Sequence, residues 1–255
     1  MPEGARRPLL RPVLSFARRA LWPGVLWLVL LAPLSTGARD IDWARYEGPT
    51  GRYPHGALGD TIEHTTLMVR TDGGHTLGIR LPDDLVFEDT APRIVDLDGD
   101  GTPEIIVVES HQQKGARLAV WALDGKTLTR RAATPFIGRR FRWLAPIGAA
   151  DLDGDGRVEI AYVETPHLGK TLKIVRLEGT RLVPVAEAQG LTNHRIGDAF
   201  IQGRIATCNG RPTILTAKAD WSRILGTILA NGKLTSRDFA RYRGADSFSS
   251  IVGCN

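Results

Sequence analysis

Two short segments of the sequence carry carboxylates at a spacing suited to binding a metal ion. Residues 96–104 read Asp-Leu-Asp-Gly-Asp-Gly-Thr-Pro-Glu, and residues 151–159 read Asp-Leu-Asp-Gly-Asp-Gly-Arg-Val-Glu. In both, acidic side chains occupy positions 1, 3, 5 and 9, and the glycines permit the turns that curl the loop. Four carboxylates held close together repel one another unless a cation neutralises them. Ligands that are all oxygen favour calcium over zinc or copper.

The predicted ligands of each ion are the four carboxylates and the backbone carbonyl at position 7. For the first loop they are Asp96, Asp98, Asp100, Thr102 and Glu104. For the second loop they are Asp151, Asp153, Asp155, Arg157 and Glu159. Because such a shell leaves calcium no open position and no free base, the sequence predicts two structural Ca²⁺ ions. The alternative is a pair of solvated acidic turns without metal.

An EF-hand does not account for these loops. It requires a glutamate at position 12, where this chain has Val107 and Tyr162, and it is flanked by helices. Both loops here lead into β-branched and aromatic segments, residues 105–108 and 160–163, which predict strands. A glutamate at position 9 followed by a strand resembles the FG-GAP (VCBS-type) repeat of integrin-like β-propellers.

Partial matches to the residues that name this family precede each loop. Phe87 and Ala91-Pro92 come before the first loop, and Phe136-Ile137-Gly138 and Ala145-Pro146 come before the second. The glycine expected before each Ala-Pro pair is replaced by Thr90 and Leu144. The resemblance implies an all-β propeller fold, calcium in the loops and a binding role rather than an enzymatic one.

Four hairpin signals recur along the chain at a nearly constant period. The turns, at Asp72-Gly73, Asp124-Gly125, Glu178-Gly179 and Asn231-Gly232, are separated by 52, 54 and 53 residues. This period matches a four-stranded propeller blade. The fold class predicted is therefore all-β, a small β-propeller-like array of about four blades. Segment 247–252 predicts one more strand, which either opens a fifth blade or pairs with the first.

A third loop keeps the pattern of the repeat but not its carboxylates. Asn209-Gly210 stands where an acidic loop is expected, and Cys208 lies beside it. Cys208 and Cys254 are the two cysteines of the chain, so a disulfide between them is predicted, with two free thiols as the alternative.

The first 38 residues have the features of an export signal. They contain five arginines and one glutamate, followed by the apolar run Leu21–Leu34 and by small residues suited to cleavage. The run is shorter than the roughly 20 residues of a membrane span, so a membrane anchor is the less favoured alternative. Arg18-Arg19 leaves open twin-arginine export in place of the general route. Residues 1–38 are predicted to be a signal peptide and residues 39–255 the exported domain, periplasmic or secreted.

The charge of the chain does not predict nucleic-acid binding. The formal net charge is +5, but residues 1–38 contribute +4 of it and the remainder +1. Whatever the exported domain binds, a global positive charge does not attract it.

The sequence gives only weak signals for a catalytic site. The six histidines form no HxxxH or HxH pair, and neither a Gly-x-Ser-x-Gly segment nor a phosphate-binding glycine loop is present. The sequence favours a non-enzymatic module that binds a macromolecule or a glycan. One alternative is a hydrolase or lyase, which requires acidic and histidine side chains to converge in a central funnel. Another is a structural subunit that completes a larger propeller, as a homo-oligomer or with a second chain.

Overall fold

The computed structural model describes residues 41–251 and 253–254, so the predicted signal peptide lies outside the described residues. Within them the secondary structure is almost entirely strand. In chain order the elements are β1 (Ile41–Thr50), β2 (Glu63–Thr71), β3 (Thr76–Arg80), β4 (Leu85–Phe87), β5 (Arg93–Val95), β6 (Glu104–His111), β7 (Gly115–Asp124), β8 (Thr127–Ala133), β9 (Leu144–Ala150), β10 (Glu159–Glu164), β11 (Thr171–Glu178), β12 (Arg181–Gln189), β13 (Leu191–Thr192), β14 (Arg204–Cys208), β15 (Arg211–Lys218), β16 (Arg223–Ala230), β17 (Lys233–Arg241) and α1 (Asp246–Ser249).

The four predicted hairpins are all present, as β2–β3, β7–β8, β11–β12 and β16–β17. Each turn contains a residue with positive φ, such as Gly125 at 62° and Asn231 at 51°. The regular spacing of the four hairpins in the sequence therefore corresponds to a repeated unit in the structure. The prediction of an all-β, propeller-like fold is confirmed.

The repeats are distributed over three antiparallel sheets. The first has eight strands in the order β1-β2-β4-β6-β7-β8, with β3 on β2 and β5 on β6. The second is β12-β11-β10-β9, and the third is β13-β15-β16-β17 with β14 on β15. The first two repeats share one sheet because β4 bridges them, pairing His64 with Phe87 on one side and Val86 with Ser110 on the other.

Strand β6 shows how the repeats pack. Its residues are buried on both faces, which explains the continuous apolar run Ile105-Ile106-Val107-Val108. Ile106 and Val108 pack with Tyr162 of β10, whereas Ile105 and Val107 pack with Leu67 of β2. Since successive side chains alternate across a strand, one strand supplies the core on both sides of its sheet.

The second and third sheets pack by the same rule. On β11, Val175 and Leu177 belong to the core shared with β6, and Leu172 and Ile174 pack against Ile214 of β15. Each fully buried side chain of this size contributes about 1.5–3 kcal/mol. Cohesion between repeats is therefore mainly hydrophobic.

The prediction of a strand at 247–252 is wrong for the described residues. Residues Asp246–Ser249 form the single turn α1, in which Ser250 N–H donates to the Asp246 carbonyl at 3.2 Å. A strand would direct Phe248 and Ile251, three residues apart, to opposite faces, but both pack on the third sheet. Burial of both side chains on one surface explains the helical turn.

A disulfide joins the C-terminal segment to the third sheet, as predicted. Cys208 at the end of β14 is bonded to Cys254, 46 residues later. Phe248, Ile251 and the two cysteines form one apolar cluster with Leu215 and Ile224.

No helix in the described residues is long and apolar enough to cross a membrane.

Replacing both cysteines by serine should lower the unfolding free energy by about 2–4 kcal/mol, because the unfolded chain loses a crosslink. Thermal unfolding should show a decrease in Tm of about 5–10 °C. A reductant should lower the Tm of the parent protein and leave that of the variant unchanged. Equal Tm values for parent and variant would contradict a stabilising role of the disulfide.

Candidate metal centre

Each acidic loop lies between two neighbouring strands of one sheet. The first connects β5 to β6, and the second connects β9 to β10, so Glu104 and Glu159 each begin a strand. In the first loop Gly99 and Gly101 have φ of 77° and 85°, values that a side chain would strain. The glycine spacing is thus needed for the backbone path.

Three of the four predicted carboxylates converge in each loop. One oxygen from each of Asp96, Asp98 and Glu104 lies within 4.8 Å of the others. Oxygens of Asp151, Asp153 and Glu159 meet in the same way. The two loops therefore place equivalent residues together, on an all-oxygen surface that suits a hard divalent cation.

The fifth-position aspartates lie outside these clusters. Asp100 accepts a hydrogen bond from Thr102 N–H at 2.7 Å, and Asp155 accepts one from Arg157 N–H at 2.9 Å. Both arrangements are tight turns that shape the second half of the loop. A ligand role for Asp100 and Asp155, and for the carbonyls of Thr102 and Arg157, remains a prediction.

Backbone N–H groups orient the converging carboxylates. Asp96 accepts from Gly99 N–H at 2.8 Å and from Gly101 N–H at 3.0 Å, and Glu104 Oε2 accepts from Leu97 N–H at 2.9 Å. The second loop repeats this set, with Asp151 bound to Gly154 and Gly156 and with Glu159 bound to Leu152. The loops are thus preorganised by their own backbone.

An arginine from another strand contacts each carboxylate cluster, and the sequence analysis missed both. Arg131 of β8 donates to Asp98 at 2.6 Å and also binds Glu104. Arg176 of β11 donates to Glu159 at 2.6 Å and to Asp155 at 3.0 Å. Their positions differ, since Arg176 is the direct strand partner of Glu159 whereas Arg131 is one strand further away.

The two glutamates have perturbed acidity. Burial raises the pKa of Glu104, against the opposing effects of the Leu97 N–H group and of Arg131. Burial likewise raises the pKa of Glu159, opposed by Leu152 N–H and Arg176. Each loop thus holds a carboxylate whose negative charge needs a nearby cation, which the arginine partly supplies. The donor set fits calcium, with Asp96, Asp98 and Glu104 as one group and Asp151, Asp153 and Glu159 as the other.

A second polar cluster, also missed, lies away from the acidic loops. The Glu88 carboxylate is fully buried after β4, accepts from His55 Nδ1 at 2.5 Å and binds the Ser110 hydroxyl. Nearby, His194 Nε2 donates to the Asp198 carbonyl at 2.9 Å, so its Nδ1 accepts from His167 Nε2 at 2.9 Å.

This cluster brings histidine and acidic side chains together, as the enzyme alternative requires, but its geometry is not that of a catalytic triad. Ser110 bonds to the Glu88 carboxylate and not to an imidazole, so the serine–histidine pair of a triad is not formed. The cavity lined by His55 and His167 measures about 20 Å³, room for a single water molecule. The arrangement is best explained as a satisfied polar core.

Glu63 lies near Glu88, and the ionisation of its side chain predicts how the unfolding free energy depends on pH. Burial, reinforced by the charges of Glu88, Asp60 and Asp89, raises the pKa of Glu63 from 4.5 to about 9. The unfolded chain therefore loses this proton near pH 4.5 and the folded chain near pH 9. Between these values the contribution of Glu63 to the unfolding free energy falls as pH rises.

Glu63→Gln should remove this loss, because glutamine cannot ionise. At pH 8 the variant should be more stable than the parent by about 1–3 kcal/mol, and near pH 4.5 the two should be equal within about 0.5 kcal/mol. Urea unfolding at both pH values measures the difference. A variant that is less stable than the parent at pH 8 would show that the ionised carboxylate is stabilising.

Comparison with known families identifies the segment that carries the acidic loops. Residues 96–162 match the model of the FG-GAP-like repeat family, from the first residue of the first loop to β10 after the second. No curated protein matched the chain. The match covers both loops and the β7–β8 hairpin between them, and it confirms the resemblance drawn from the sequence. The chain therefore contains an FG-GAP-like repeat.

Proposed function

We propose that the chain is an exported, calcium-stabilised β-propeller-type binding module. The observation that carries the proposal is the convergence of three carboxylates in each of two equivalent loops, inside the segment that matches the FG-GAP-like repeat. Calcium supplies the positive charge that these loops need. Its role is structural, because the ion joins the two ends of a loop and so holds adjacent strands in register.

Calcium binding should stabilise the fold by mass action. Extracellular calcium modules have dissociation constants of about 10⁻⁴ to 10⁻³ M. At about 1 mM calcium each site then contributes about 0.4–1.4 kcal/mol to the unfolding free energy. The partner, a protein or a glycan, is bound by the exposed loops that this scaffold positions, and the acidic loops themselves take no part in catalysis.

Calcium at about 1 mM should raise the Tm of the parent protein by about 2–10 °C relative to a chelator, since two sites act together. The double variant Asp98→Asn with Asp153→Asn should lose this increase. Asp124→Asn, which removes one carboxylate charge at an exposed hairpin residue outside the two loops, should keep it. A Tm that is the same with calcium and with chelator in the parent protein would refute structural calcium binding.

Export is supported by the apolar N-terminal segment and by the disulfide, which persists in oxidising compartments. When the full chain is expressed in a Gram-negative bacterium, the mature protein should appear in the periplasm or medium with its N-terminus near Arg39. N-terminal sequencing of the purified product measures this. A cytoplasmic product that retains Met1 would contradict export.

A further inference from the structure

The Arg131 guanidinium of β8 occupies carboxylate oxygens of the first acidic loop that a metal ion would need. Asp98 uses Oδ1 to accept from Asp100 N–H at 3.3 Å and Oδ2 to accept from Arg131 at 2.6 Å. Glu104 uses Oε2 for Leu97 N–H and Oε1 for Arg131. Arg131 therefore binds the oxygens that the backbone leaves free on two of the three converging carboxylates.

Arg131 also reaches the neighbouring repeat. Its Nε donates to the carbonyl of Gly179 at 3.1 Å, and Gly179 lies in the β11–β12 turn of the second sheet. The side chain is 26% exposed, so its guanidinium has a path to solvent. One side chain thus connects the charge state of the first loop to a hairpin of the next sheet.

The second loop differs in how its arginine is held. Arg176 is only 8% exposed and lies directly opposite Glu159 in the β10–β11 ladder. Arg157 adds a second guanidinium there, 2.7 Å from Asp155. The first loop therefore opposes four carboxylates with one arginine that has room to move, whereas the second has two, one of them buried.

We propose that Arg131 is a tethered competitor of calcium at the first loop, and that ion binding releases it from Asp98, Glu104 and the Gly179 turn. The proposal rests on the calcium-binding function proposed above. A divalent ion and a guanidinium repel each other at the shared oxygens, so occupancy by one disfavours the other. Calcium affinity of the first loop and the contact between the two sheets are consequently coupled.

The test measures calcium binding by calorimetry on the full chain carrying Asp153→Asn, which removes the second site. Adding Arg131→Gln should tighten binding at the first loop about tenfold, because the competing charge is gone. Arg131→Lys keeps the charge and should change affinity by less. Lys126→Gln makes the same charge change at an exposed hairpin residue and should leave affinity within about twofold.

A thermal measurement separates competition from a purely structural role. In chelator, Arg131→Gln should have a lower Tm than the background protein, because Glu104 loses its partner. In saturating calcium, Arg131→Gln should have the same Tm as the background protein in saturating calcium. A deficit that is equal with and without calcium would identify Arg131 as a structural residue and would overturn the proposal.

Hydrogen exchange tests the link to the next sheet. Calcium should accelerate exchange of amides in the turn around Gly179 in the background protein, and it should have no such effect in Arg131→Gln. Unchanged exchange in the background protein would reject the link.

The outcomes distinguish this inference from the calcium proposal itself. If the background protein binds calcium and Arg131→Gln binds it equally or more weakly, the competition is refuted and calcium binding stands. If Arg131→Gln binds calcium and the background protein does not, the competition is supported and the first loop of the natural sequence is not a calcium site. If neither protein binds calcium, both proposals fail.

Discussion

Each acidic loop is organised around a buried carboxylate at the start of a strand. Glu104 and Glu159 are 2% and 0% exposed, and each accepts a hydrogen bond from the backbone at position 2 of its loop. This contact ties the end of the loop to its beginning and fixes where β6 and β10 start. An ionised carboxylate at such a depth costs several kcal/mol unless a cation pairs with it. The surrounding residues are arranged to meet that requirement.

The same requirement recurs elsewhere in the described chain. Glu109 on β6 is fully buried and is bound by Arg117 at 2.6 Å, by Arg130 at 2.8 Å and by the indole N–H of Trp121 at 2.9 Å. Asp89 is paired with Arg93 at 2.6 Å. Where no arginine is present, at Glu63, burial instead raises the pKa so that the carboxyl group remains protonated. Buried acids are thus either paired with arginine, bound by His55 and Ser110 as Glu88 is, or neutral.

These charges are set within a hydrophobic stack of sheets. Strands such as β6 and β11 bury both faces, so each repeat depends on its neighbours for half of its core. At the C-terminal end the dependence is met by α1 and the Cys208–Cys254 disulfide, which cover the third sheet. Arg131 adds a polar contact between the first and second sheets, through its hydrogen bond to the Gly179 carbonyl.

The sequence by itself determined the elements whose signal is local. Alternate aspartates with glycines predicted the two loops, an acidic residue or asparagine followed by glycine predicted the four hairpins, and apolar runs predicted β6 and β10. These features depend on neighbouring residues, so their backbone conformation is encoded within a few positions. The pairing of Cys208 with Cys254 followed because the chain has no other cysteine.

The tertiary structure alone decided which distant side chains meet. Arg131 follows its partner Glu104 by 27 residues and Arg176 follows Glu159 by 17, so no common spacing marks them as loop residues. His55, Glu88 and Ser110 come from three separate segments, and Phe248 and Ile251 form a helical turn only because the third sheet buries both. Such contacts depend on the register and packing of strands far apart in sequence, and a local pattern does not encode them.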